Sequence, residues 1–505
     1  MKSWFLWPAA LLLIGAGEQW IDASSQDLNG YVRALSLDIR GVVPSEAELE
    51  AIETAGGLDE PTLDAWLASP EFEETVIAQH RDRFWNLLDI NLLNTRRLGK
   101  RDNIWFNNNR ARYTRGLPQT HCGDFEADVD ELNRPNSWVT SEEDGSISEG
   151  YVQVAPYWDP ENPIDVCALD AQLTEISATG VDCSSEDAHK EPDCGCGPEL
   201  QWCMPTTVEK IMEESIAADL NERVRAMVTS GAGYTSLFDG ETMYMNGPSA
   251  HFFRHIAPFD TDDYESPVPS SAIPDLDFQD LAWVGVTLED HHDGVLTAPG
   301  WLLRHQTNRG RANRFYGAFL CSDFIPPEVG ISGLNSAVVP SPDLQLREGC
   351  LGCHARLEPW AAYWARWDEA ATRFRSADEF PAFSEECANC AITGVDCSDF
   401  CEDNYIVEPS HADEIPYLGW YTPYAFLAED KAEHPDLGPL GWITQAEESG
   451  LFSQCAVQQT ADWLLNAEAK PEQIDSWTAS LQADDDYRAM VKRIVMSSPY
   501  WGGVE

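Results

Sequence analysis

The sequence predicts a mainly α fold: helical domains around a central module, with a short β-hairpin and two disulfide-rich loop regions. Three observations carry this. Helix-start signals precede stretches of 3.6-residue apolar periodicity at both ends of the chain. Fourteen cysteines fall in two groups separated by more than a hundred residues. Strand-like alternation is confined to one short stretch near residue 285.

Taken in order, residues 1–17 read as a secretory signal. Lys2 gives a short positive region, Trp4 to Ile14 form an apolar core broken by Pro8, and Gly15, Ala16 and Gly17 suit cleavage. The core is too short to span a bilayer comfortably, although an uncleaved anchor stays open as an alternative. No other stretch approaches ~20 continuous apolar residues.

Residues 18–114 form an N-terminal helical domain. Ser45 and Glu48 make a capping box behind Pro44, and Gly56-Gly57 stops that helix. Ser69-Pro70 starts the next, with Phe72, Val76, Ile77, His80, Phe84, Leu87 and Leu88 on one face. His80 and Trp85 read as packing residues.

Residues 115–205 are an acidic, cysteine-rich, loop-rich insertion. Residues 206–276 hold a helix, opened by a capping box of Thr206 and Glu209, and a Pro- and Ser-rich connector. Residues 277–380 make the central module. There "LAWVGVT" and "GVLTAP" read as two short strands about the turn "LEDHHDG". Residues 381–405 form a cystine-rich loop, and 406–505 a C-terminal helical domain containing "CAVQQTADWLL" and "YRAMVKRIVM". The string "TGVDCS" occurs at Thr179–Ser184 and at Thr393–Ser398. Two similar cystine loops, or chance convergence of turn residues, would explain it.

The 505 residues include 86 acidic and 32 basic ones, a formal charge of −54, yet 43% are hydrophobic. This is a folded chain with a carboxylate surface, not a disordered acidic tail. Such a surface repels nucleic acid and anionic membranes. Adaptation to salt or a basic partner would each account for it.

Export changes how the cysteines read, because outside the cytoplasm they are normally paired. Six lie early and eight late. Within the late group, Cys350-Leu351-Gly352-Cys353-His354 is a C-x-x-C-H motif. Two thiols at that spacing suit the two vinyl groups of a c-type haem, and the adjoining histidine meets the iron. Spending Cys350 and Cys353 on haem leaves both groups even. Two alternatives stay open: a Cys350–Cys353 disulfide, and a zinc site completed from Cys387, Cys390, Cys397 and Cys401.

"DGVLTAPGWLLRHQTNRGRANRFYGAFLCSDFIPPEV" followed by "LREGCLGCHARLEPWAAYWARW" resembles the planctomycete-type cytochrome c family of exported bacterial multidomain proteins. The matching elements are Gly294, His305, Arg309 to Arg314, Leu320-Cys321, Pro326-Pro327 and Cys350 to His354. "YVRALSLDIRGVVPSEAELEAI", "YTSLFDGETMYMNGPSAHFF" and the C-terminal helices also look like that family. The chain departs from the pattern at Gln306-Thr307-Asn308 and in its short proline loop. The resemblance implies export and one covalent haem c within residues 277–380.

The second iron ligand would separate electron transfer from open-site chemistry. His305 is the first candidate, since the resemblance puts its turn near the haem domain; a capping or core histidine is the alternative. Met490 and Met496 are weaker candidates, and Met243, Met245, His251 and His255 weaker still. Arg347 and Arg356 are candidates for pairing with haem propionates. "EDHHD" at Glu289 to Asp293 reads as a solvated turn rather than a cation site. No phosphate loop or hydrolase motif is present. The expectation is an exported single-haem electron-transfer protein or redox module of a secreted assembly. It would be periplasmic or extracellular, meet a redox partner protein for which the charge suits a basic one, and bind no nucleic acid. A haem enzyme with an open distal site and a haem-free, disulfide-rich binding protein are the alternatives.

Overall fold

A computed structural model describes residues 28–85, 87–88, 96–107, 120–131, 138–140, 147–171, 175–177, 179–185, 188, 191–257, 264–288, 292–324, 344, 350–369, 372–376, 378, 380–395, 397–409, 412–422, 437–465 and 468–497. Helix dominates these residues. The helices are α1 (Leu28–Arg40), α2 (Glu46–Ala55), α3 (Glu60–Leu67), α4 (Pro70–Phe84), α5 (Thr206–Ser230), α6 (Ser236–Asp239), α7 (Gly247–His255) and α8 (Pro299–Arg304). They continue as α9 (Asn308–Phe319), α10 (Leu351–Ala361), α11 (Glu385–Thr393), α12 (Asp399–Asn404), α13 (Pro439–Glu448), α14 (Leu451–Leu464), α15 (Pro471–Asp484) and α16 (Tyr487–Val495). Strands are short: β1 (Arg96–Arg101), β2 (Ile104–Asn107), β3 (Thr120–Glu126), β4 (Trp138–Thr140), β5 (Ile147–Val154), β6 (Ile164–Cys167), β7 (Cys203–Met204), β8 (Thr242–Met245) and β9 (Val284–Thr287). No helix among the described residues is long and apolar enough to cross a membrane.

The chain forms two compact units. One takes the described residues up to His80, Val224–Tyr234 and those from Ser453 onward. Its α2 opens on the expected capping box, with Ser45 N–H donating to Glu48 at 2.7 Å, and ends where Gly56 takes φ 80°. Phe72, Val76, Ile77 and His80 are buried along α4 as the periodicity predicts. His80 donates from Nδ1 to the Val76 carbonyl, and its ring meets Tyr234 and Tyr487. On α16 the buried face is Tyr487, Met490, Val491, Ile494 and Val495, while Lys492 pairs with Glu60 and Asp64.

The other unit takes Arg81–Arg223 and Thr235–Phe452. Here the loop-rich expectation for residues 115–205 is corrected. β3 to β7 join β1 and β2 in a seven-stranded mixed sheet, ordered β3-β5-β6-β2-β1-β7, with β4 paired to β5. Its strands are mostly short, and β1, β3, β5 and β6 carry Gly or Asp, which obscures a period of two. The Cys196–Cys203 disulfide anchors β7, and Cys183–Cys194 closes the loop before it, beside buried Leu200 and Trp202.

The predicted hairpin is also corrected. β9 pairs antiparallel with β8, Met243 opposite Val286, and Gly294–Thr297 is a buried 3₁₀ turn. The driving force is a core that gathers Met243, Met245 and Val286 with Met212, Ile216 and Phe253. Local spacing does not reveal a partner 40 residues away. The Thr206 capping box does not form either, since α5 starts on the Pro205 carbonyl. Glu209 is buried against Arg97 at 2.9 Å. Trp85 is 54% exposed, under the Arg304 guanidinium, rather than a core residue.

Candidate functional site

Cys350 is the N-cap of α10, and its carbonyl accepts the N–H groups of Cys353 and His354 at 3.1 and 3.0 Å. The motif thus occupies the first turn of a helix, which fixes the two thiols on adjacent turns of backbone. Gly352 faces open space: a Cβ there would meet nothing within 4 Å. Leu351 beside it is exposed, and Cys350 and Cys353 are half-buried.

His354 is oriented from behind. Its Nδ1–H donates to Glu358 Oε1 at 2.6 Å, one turn along the same helix. The same oxygen accepts Arg309 Nε–H at 2.7 Å, reaching across from α9. Glu358 is only 5% exposed, so both bonds are charge-assisted and shielded from water. The arrangement fixes the ring and commits Nδ1 as donor, leaving Nε2 as the lone-pair nitrogen. Carboxylate-held imidazole is the usual support of a metal-ligating histidine.

Aromatic packing holds the far end of α10. Trp442 of α13 is fully buried against Trp360, Tyr363 and Trp364 on one side and Phe315 and Tyr316 of α9 on the other. Trp364 Nε1 donates to the Leu296 carbonyl. Arg311, fully buried, ties α9 to the residues after α10 through the carbonyls of His305 and Asp368.

Cysteine pairing bears on the two alternatives to a haem. Cys350 and Cys353 are free thiols. Cys387–Cys401 and Cys390–Cys397 are nested disulfides, so the four cysteines from which a zinc site would draw its two further ligands are already spent. Cys167, Cys321 and Cys455 are also disulfide-bonded. The two "TGVDCS" strings are not equivalent loops, because Cys183 pairs forward with Cys194 and Cys397 pairs backward with Cys390. A chain this rich in disulfides is consistent with an exported protein.

The remaining candidates scatter. His305, at the end of α8, donates from Nε2 to the Phe84 carbonyl at 3.1 Å and packs on Trp301. Burial and the nearby Arg304, Arg311 and Arg314 push its pKa down to about 3 against the Phe84 bond. Met243 and Met245 are core residues. His251 donates to the Gln201 carbonyl and stacks on Tyr157, with His255 beside it. Met490 is buried in α16 and Met496 follows it, 37% exposed, both in the other unit. Arg356 is exposed on α10; Arg347, Pro326 and Pro327 lie outside the described residues.

The solvated-turn reading of "EDHHD" is corrected for its last two residues; the first three lie outside the described ones. His292 is buried, its Nε2 accepting from Arg223 at 2.9 Å and its Nδ1 facing Thr297 Oγ1 at 3.3 Å. Arg223 is held in turn by Asp219. With both ring nitrogens used, His292 is a structural residue. Glu149, Cys167 and Asp170 also converge, but Cys167 is in a disulfide.

Glu358 and Arg309 are the site residues that sequence reasoning missed. Glu358 was legible in principle, since i,i+4 places it on the face of His354. Arg309 required the packing of α9 on α10. No protein-family model, curated protein or solved structure matches the chain.

Proposed function

We propose that the chain is an exported c-type haem protein that carries single electrons or serves as the redox module of a secreted assembly. One observation carries the reading. Two reduced cysteines stand beside a histidine whose Nδ1 is held by a buried carboxylate, in a chain whose other cysteines with described side chains are disulfide-bonded. A disulfide framework that spares those two thiols suits covalent attachment. Each S–H adds across one vinyl group, so the bonds form without an oxidant.

The haem, when bound, supplies one-electron chemistry at iron. Cys350 and Cys353 would hold it, His354 would present Nε2, and Glu358 and Arg309 keep that ring in place. The resemblance of residues 290 to 367 to planctomycete-type cytochromes supports the same assignment. A surface of −54 suits a basic redox partner.

A second reading, an iron with one open face that reacts with peroxide or substrate, is favoured by His305. Its Nε2 is committed to Phe84 rather than left for a metal. The test of the first premise is direct. The chain is expressed in a host that attaches c-type haem, denatured, and its pyridine haemochrome spectrum recorded beside Cys350→Ala and Cys353→Ala. Covalent haem in the parent and its loss in the double variant are expected. A colourless parent chain sinks both readings, and the spin state of the iron separates them.

A further inference from the structure

Behind Glu358 lies a cleft of about 340 Å³, lined by Tyr264, Trp367 and Tyr421 together with Asn308, Arg309 and Glu358. Neither motif cysteine nor His354 lines it. The volume is that of a small-molecule site, and the lining combines three aromatic side chains with a few polar groups.

Charge bookkeeping identifies the polar end. Glu358 is bound by Arg309 and His354, Asp368 by Arg373, and Glu369 accepts the backbone N–H of Asn308. Glu358 and Asp368 are thus each paired with an arginine, while Glu369 is exposed and accepts a backbone N–H. Arg309 gives Nε to Glu358 and is 49% exposed, and its two terminal amino groups have no partner among the described residues. Arg375 adds positive potential, lying 4.1 Å from the Tyr264 ring. In the sequence, Arg304 to Arg375 contains nine arginines against seven acidic residues, a net of +2 within a total of −54.

We propose that this cleft binds a small aromatic carboxylate, its ring among the aromatic side chains and its carboxylate on the free fork of Arg309. Arg309 also holds the carboxylate that orients His354, so a second carboxylate on the same guanidinium offsets its charge and leaves Glu358 acting more fully on the histidine. That coupling rests on the haem reading, whereas the binding site does not.

Benzoate and benzylamine are the probes, titrated calorimetrically into the full-length chain and into a haem-free Cys350→Ser/Cys353→Ser variant. Benzoate is expected to bind both, with affinity falling at least tenfold in Arg309→Gln and in Trp367→Ala. Arg309→Lys keeps the charge beside Glu358 but loses the fork, and is expected to weaken benzoate with the fold intact by circular dichroism. Saturating benzoate is expected to lower the reduction potential of the haem-loaded chain. The site is refuted if benzylamine binds and benzoate does not, if Arg309→Gln and Arg309→Lys leave benzoate unaffected, or if only the haem-free variant binds it. An unmoved potential despite binding refutes the coupling alone. Binding by a chain that never takes up haem keeps the site and sinks the proposed function.

Discussion

Replacing Glu358 by Gln tests the central geometry. The side chain keeps its shape, but a carboxylate that accepts from both His354 Nδ1–H and Arg309 Nε–H becomes a neutral amide. A hydrogen bond to a charged group contributes about 1.5–3 kcal/mol, and a neutral one about 0.5–1.5 kcal/mol. With a haem attached as proposed, the bond to His354 would lose about 1 kcal/mol of its preference for the more positive, oxidised iron. For a one-electron couple, where about 59 mV corresponds to a factor of ten, this raises the reduction potential by about 40 mV. Arg309, facing an amide, costs the fold a further 1–2 kcal/mol or so. The assay is a potentiometric titration of haem-loaded parent and variant, with haem content checked by haemochrome. A potential that stays within about 10 mV at normal haem loading would refute the role assigned to Glu358.

Three further outcomes are expected. His305→Gln should leave the haem spectrum and spin state unchanged while lowering stability by about 1–3 kcal/mol, since the ring serves Phe84; a change of spin state would restore His305 as an iron ligand. Burial pushes Asp293 up to about 7 against the N–H of Leu440 at the start of α13. Its folded pKa lies above the unfolded value, so its contribution is complete below about pH 4 and is lost as pH rises to about 7, by about 3–4 kcal/mol. Buried His292 shifts downward and works in the opposite sense, so the difference between parent and Asp293→Asn in denaturant midpoint at pH 5 and pH 7.5 isolates the aspartate; an identical difference at both would contradict it. Removing the outer disulfide by Cys387→Ser/Cys401→Ser, with the inner Cys390–Cys397 kept, should cost about 2–3 kcal/mol. It would be read as faster proteolysis within residues 384–404, and an unchanged cleavage rate would rule it out.

Elements whose signals are local were legible before folding. The capping box of Ser45 and Glu48 and the apolar stripe of α4 from Phe72 to His80 need only neighbours three or four residues away. The C-x-x-C-H spacing is local too, whereas its place at the start of α10 emerges only from the structure. Elements that depend on distant partners were not legible. β9 found β8 rather than the sequence that follows it, because Met243, Met245 and Val286 share a core. The strands of residues 120–204 form a sheet through mixed pairings and disulfides that no short window shows.

The sequence by itself determined the chemistry on offer: two thiols and an imidazole at haem spacing, a cysteine complement suited to export, and a carboxylate surface of −54. Tertiary structure alone decided which of these groups are available. Disulfide geometry consumed the cysteines that a zinc site would need and left Cys350 and Cys353 free. Burial turned His292 and His305 into bonded core residues. The packing of α9 on α10 brought Arg309 to Glu358, and through it gave His354 a fixed ring. A side chain's identity is written in the chain, but whether its lone pair is free depends on what folding places against it.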